Sequence, residues 1–108
     1  MATSRAGQGA CLAVLKRLGA QESPVSFPME GYTLAMDFPM SRDCLKLLEK
    51  LDQITLAHGG RFYLAKDSRM SPETLHRSDP RMASFAAMRR HTGLSPALSS
   101  SQSERLAL

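Results

Sequence analysis

One stretch, "SRDCLKLLEKLDQITLAHGG" (residues 41–60), constrains the fold more than any other, because it reads as a helix with a single apolar side. Cys44, Leu47, Leu48, Leu51, Ile54 and Thr55 recur at spacings of three and four, which makes one stripe on a 3.6-residue turn. Ser41 suits the N-cap, where its oxygen satisfies free backbone N–H groups, and Asp43 suits the positive end of the helix dipole. Gly59 and Gly60 supply a left-handed stop. A helix of this kind needs an apolar surface to lie on, and the rest of the chain has to offer it.

The clearest offer is "GYTLAMDFP" (31–39), which alternates as a strand does. Tyr32, Leu34, Met36 and Phe38 fall on one large apolar face, expected in the core. Thr33, Ala35 and Asp37 fall on the other, which stays small until Asp37 as if space were reserved there. Pro39 ends the strand. "CLAVLKRL" (11–18) is too short for its period to decide between strand and helix. The prolines of "AQESPVSFPME" (20–30) exclude a helix there. Residues 61–65 read as a further short strand. Ser71, with Pro72 at the first helical position, opens a helix. Asp79 and Pro80 repeat that grammar, and Met82, Phe85 and Ala86 give the next helix its apolar side.

The expected fold is α+β: a small, mostly antiparallel sheet with a covering helix, followed by two short helices and a coil tail. Residues 1–10 read as linker or disorder, 11–91 as the folded part, and 92–108 as the tail. Three strands under one helix leave the second sheet face uncovered, and such a surface expects a partner.

Composition removes several function classes. Fourteen Lys and Arg against ten Asp and Glu give a net charge of +4, but the charges are scattered rather than blocked. No stretch is apolar for the roughly 20 residues that a membrane span needs. Lys16 and Arg17 interrupt the N-terminal apolar patch, which rejects a signal peptide. Cys11 and Cys44 lack metal-ligand spacing and read as reduced thiols packed like small apolar residues, which makes a cytoplasmic chain the default. His58, His76 and His91 lie on unlike elements, so no metal site is expected. No nucleophile elbow supports a Ser-His-Asp triad. "RFYLAK" mixes basic and aromatic residues without the rest of an RNA-binding signature, so no nucleic acid is expected as a partner. No glycine loop cradles a phosphate. Lys66 remains open on spacing alone: it is either a solvated lysine past a strand or a cation delivered by the strand's end.

Three separated segments, "SFPMEGYTLAMDFP", "HGGRFYLAKDSRMSPE" and the closing "SQSERLAL", together resemble the C-terminal end of FAD-dependent oxidoreductases of the vanillyl-alcohol-oxidase type. The resemblance is nearest to the decaprenylphosphoryl-ribose 2'-oxidase and sugar-lactone oxidase branch, and runs in register from about Leu12 to Leu108. It implies that residues 11–91 are the last part of a cap, or substrate, domain, with the FAD-binding domain lying outside this chain. On this basis Lys66 is the expected catalytic residue, reaching flavin and substrate, with Tyr63 on the cofactor side. Thr33 and Ala35 are expected to line the substrate pocket. Relatives of the decaprenyl type carry asparagine and cysteine where Thr33 and Ala35 stand, which implies a different sugar. An aromatic residue usually stands where this chain has Leu98, and residues 1–10 match nothing in the family.

The expected function is therefore that of a C-terminal fragment of a flavin-dependent oxidoreductase acting on a secondary alcohol of a sugar or sugar lactone. FAD would serve the complete enzyme and bind weakly to this chain alone. The partner would be the enzyme's own FAD-binding domain. The alternative is a non-enzymatic α+β module that self-associates through its open sheet.

Overall fold

The computed structural model of the chain describes residues 9–108, apart from the side chains of residues 95 and 96. The linker expectation for residues 1–8 lies outside the described residues. Two compact units are formed, one from residues up to Glu22 with Pro28–Ile54, the other from Ser23–Phe27 with Thr55–Leu108. The class is α+β, as the sequence implies.

In the first unit, strand β1 (Leu12–Leu18) pairs antiparallel with strand β2 (Gly31–Asp37), in a register running from Leu12 opposite Asp37 to Leu18 opposite Gly31. Pairing with β2 decides what the short period of 11–18 could not. Helix α1 (Arg42–Ala57) follows. Ser41 caps it, its Oγ accepting the Cys44 amide at 3.0 Å. Cys44 and Leu47 are buried, Leu48 and Leu51 half-buried, while Ile54 is exposed at the end of the stripe.

The face of β2 expected in the core is only partly covered: Met36 and Phe38 are half-buried, whereas Tyr32 and Leu34 are exposed. Facing residues in an antiparallel ladder share a face, so Tyr32 and Leu34 stand beside Arg17 and Leu15. At that end the face is open: Tyr32 is 72% exposed, Leu34 54% and Leu15 66%. Thr33 and Ala35, on the other face, are half-buried. Large apolar side chains specify a core only if something covers them, and alternation cannot say which face is covered.

The boundary between units falls within α1, whose last turn belongs to the second. There Gly59 adopts φ +66°, and the amide of Gly60 donates to the Thr55 carbonyl at 2.9 Å. A Cβ on Gly60 would stand 2.7 Å from Thr55 Cγ2, so the close approach itself requires glycine.

The expected third strand is not formed. Among the described residues the sheet has two strands, and residues 61–63 lead into a single 3₁₀ turn, Leu64–Lys66. Tyr63 is extended, with φ −86° and ψ 99°. Extended backbone becomes a strand only when a neighbour takes up its N–H and C=O groups. Helix α2 (Pro72–Ser78) starts as predicted, Ser71 accepting the Thr74 amide at 3.2 Å with Pro72 in the first turn. Helix α3 (Arg81–His91) buries Met82, Ala86 and Arg89. The tail carries two further short helices, α4 (Leu94–Ala97) and α5 (Ser101–Arg105), so coil describes only part of it. The core of this unit is Met70, Leu75, Met82 and Leu106, with Phe62, Leu64 and Leu108 packed against it. No helix among the described residues is long and apolar enough to cross a membrane.

Cys44 is buried as a small apolar side chain, whereas Cys11 is exposed, contrary to expectation, because it lies at the edge of β1. Both thiols are free.

Candidate functional site

The second unit holds a cavity of about 210 Å³. Phe27, Arg61, Tyr63, Ala65, Asp79 and Met82 are among the residues lining it. Its walls are brought together by charge as much as by packing. Asp79 receives both the Nε of Arg81, at 2.8 Å on Oδ1, and its Nη2, on Oδ2. The Arg61 guanidinium stands 3.9 Å from the same carboxylate. Arg81 also donates to the carbonyls of Ser23, at 2.9 Å, and Ser26, at 2.6 Å. One arginine thus holds the 23–27 segment against α3, and Phe27 arrives tilted by 53° on Tyr63, with ring centroids 5.3 Å apart. Burial pushes the Asp79 carboxyl upward, but hydrogen bonds from the Arg81 side chain and amide, with the charges of Arg81 and Arg61, outweigh it and hold the group below the ordinary carboxylate range. Asp79 in turn raises Arg81.

Next to this cavity lies the turn that carries the predicted catalytic residue. The Lys66 amide donates to the Tyr63 carbonyl at 3.1 Å, and the Asp67 amide to that of Leu64 at 3.1 Å. Tyr63 lines the cavity and is 53% exposed. Lys66 follows the lining residue Ala65 directly and is exposed, its own side chain lying outside the lining. Strict alternation would have put Lys66 with Phe62 and Leu64, which pack on the core. The turn breaks that alternation and releases the lysine to the surface.

Tyr63 and Lys66 are therefore brought onto one turn of the second unit. Thr33 and Ala35 share the half-buried face of β2 in the first unit, directly opposite Lys16 and Val14.

Asp67, Gln102 and Arg105 were not singled out from the sequence, yet they hold the Lys66 turn. Asp67 Oδ1 accepts the amides of Arg69 and Met70, at 3.2 and 2.9 Å, and its Oδ2 accepts Arg105 Nη2 at 2.8 Å. Burial raises the Asp67 carboxyl, but the Met70 amide, the Arg105 side chain and the Arg69 amide prevail and keep it low. An Asp two or three residues before free amides is a readable turn signal. The partnership with residues near 105 is not, because it crosses some forty positions without a period.

No protein-family profile matches the chain. Curated relatives do. Over 105 residues, 96% of its length, the chain is 35% identical to the decaprenylphosphoryl-beta-D-ribose oxidase of Mycolicibacterium smegmatis, covering 23% of that protein. It is 38% identical over 98 residues, 88% of its length, to a Streptomyces coelicolor protein described only as an uncharacterized protein in the mprA 5' region, covering 26% of it. The chain thus spans about a quarter of the length of these relatives. By sequence, over nearly all of its own length, the chain is similar to a C-terminal fragment of the decaprenylphosphoryl-beta-D-ribose oxidase branch.

Proposed function

We propose that this chain is the substrate-side portion of a flavin-dependent oxidoreductase acting on a secondary alcohol of a sugar or sugar lactone, and that it works only in company with an FAD-binding portion. The observation that carries the reading is the 35% identity across 96% of the chain to an oxidase of that branch. Within it, Lys66 takes the catalytic role, Tyr63 and Lys66 face the cofactor, and Thr33 with Ala35 line the place of the sugar. Both residues are small and half-buried, and Thr33 offers a hydroxyl to bond a sugar. Two cysteines, with neither metal-ligand spacing nor the density of a disulfide scaffold, fit a cytoplasmic chain.

The residues at hand fit one side of a flavin rather than an enclosure. The Phe27–Tyr63 pair offers an aromatic surface and Lys66 a cation on the adjoining turn. A cavity of about 210 Å³ lies below the roughly 300–1,000 Å³ of pockets that enclose a drug-sized ligand. When bound, the flavin would supply the acceptor for the hydride leaving the alcohol carbon. The ammonium of Lys66 would stabilise negative charge developing beside it, and would orient an anionic substrate. Thr33 would fix the alcohol's orientation through its hydroxyl.

The test is Lys66→Ala in a complete enzyme that contains this segment. Loss of one fixed charge aimed at the reacting centre is expected to lower kcat by about 10²–10³, with the melting temperature nearly unchanged because Lys66 is exposed. Unchanged turnover would overturn the assignment.

A second reading, self-association through the sheet without catalysis, is favoured by the open apolar face of Leu15, Tyr32 and Leu34. A concentration-dependent dimer that persists in the presence of the FAD-binding portion would support it over the first.

A further inference from the structure

We propose that Gln102 and Arg105, on α5, are positioning residues that hold the Lys66 turn in its working geometry, a proposal that rests on the catalytic reading of Lys66 given above.

The turn has little to hold itself. One 3₁₀ turn contributes two backbone hydrogen bonds, and such turns are weak when isolated. Leu64 also packs on the core and Tyr63 meets the Phe27 ring, and the side-chain hydrogen bonds to the turn's backbone carbonyls come from the tail. Gln102 Nε2 donates to the carbonyl of Leu64 at 2.6 Å and to that of Asp67 at 3.2 Å, gripping the backbone on both sides of Lys66. Arg105 donates through Nη1 to the Met70 carbonyl, at 2.5 Å, and through Nη2 to Asp67 Oδ2. The Asp67 carboxylate passes that hold on to the amides of Arg69 and Met70. Leu106, the next residue along, is 0% exposed and packs with Met70 in the core, so α5 is itself anchored. Its start is fixed as well: Ser100 and Ser103 form a reciprocal capping box.

Two side chains three positions apart thus bracket the segment 64–70 by four carbonyl or carboxylate contacts. Gln102 has the two donors needed for a pair of carbonyls, and Arg105 the planar fork needed for a carbonyl and a carboxylate together. A cation placed within about half an ångström of its target needs this kind of outer support. Neither side chain has to touch a substrate to do it.

Gln102→Glu keeps the shape and removes both donors. Arg105→Lys keeps the charge opposite Asp67 and removes the fork. Trypsin cuts after Lys66 and Arg69, and also after Arg77 in α2 of the same unit, which serves as an internal control. In the full chain, each variant is expected to speed cleavage at Lys66 and Arg69 by about tenfold, the weight of one or two lost hydrogen bonds on a local opening, with the Arg77 rate unchanged. In the complete enzyme the same variants are expected to lower kcat with KM unchanged.

Unchanged cleavage at Lys66 and Arg69 in both variants overturns the proposal, as does an equal rise at Arg77 in both, which would mean that the tail merely holds the unit folded. Faster cleavage with a Lys66→Ala enzyme that turns over normally overturns the catalytic reading, and with it the purpose assigned to the grip, though not the grip.

Discussion

Two carboxylates organise the second unit, and each does so by facing arginine. Asp67 ties the turn that bears Lys66 to Arg105, and Asp79 ties Arg81 and Arg61 beside the cavity. Both groups titrate below the ordinary carboxylate value in the folded chain. A carboxyl with a depressed folded pKa binds its proton more readily when unfolded, so its contribution is complete above the unfolded value, about 4, and drains away as pH falls through the folded one. The second unit is therefore expected to melt at a constant temperature from neutrality down to about pH 5, and progressively lower below about pH 4. Asp67→Asn and Asp79→Asn should each flatten that acid limb, at a cost near neutrality of about 1–3 kcal/mol for the charged partners left behind. Thermal melts at several pH values check both statements. An acid limb as steep in both variants as in the parent would refute them.

The elements differ in how far they could be read from sequence. Strand β2, helix α1 and helix α2 were legible because each carries its own punctuation: Gly31 and Pro39 around an alternating run, Ser41 and Gly59 around a stripe, Ser71 and Pro72 at a start. Replacing Ser71 by Ala removes the cap on the Thr74 amide, and is expected to destabilise the second unit by about 1 kcal/mol in a denaturant titration. A change much below that would mean that Pro72 alone sets the helix start. What was illegible depended on partners far along the chain. Residues 61–65 have strand-like composition but no neighbour to pair with, and become a turn held by α5. The choice of open face in the sheet was illegible for the same reason, since Leu34 and Thr33 exchange roles according to what lies over them. In the candidate site, the family motif pointed to Tyr63 and Lys66; Tyr63 lines the cavity, and Lys66 stands exposed on the turn beside it. Gln102 and Arg105 escaped because "SQSER" announces a helix start and nothing about what that helix holds.

At the scale of the whole molecule, the chain spans about a quarter of the length of the curated relatives it matches. The open face of Leu15, Tyr32 and Leu34, and a cavity too small to surround a dinucleotide, both follow if most of the cofactor's contacts lie in another stretch of polypeptide. The chain passed down a gel-filtration column with FAD is expected to emerge free of flavin absorbance. Retention of yellow colour by this chain alone would contradict the division of labour proposed for it.

Cys11 and Cys44 give the first unit a built-in gauge of its own integrity. A maleimide dye should reach the exterior sulfur at the start of β1 at once and the interior one only when α1 opens, so one label per chain reports a folded unit and two an unfolded one. The same asymmetry carries a hazard in storage without reductant, where air oxidation at Cys11 would link chains covalently and counterfeit a dimer. Cys11→Ser removes that artefact before any measurement of molecular weight.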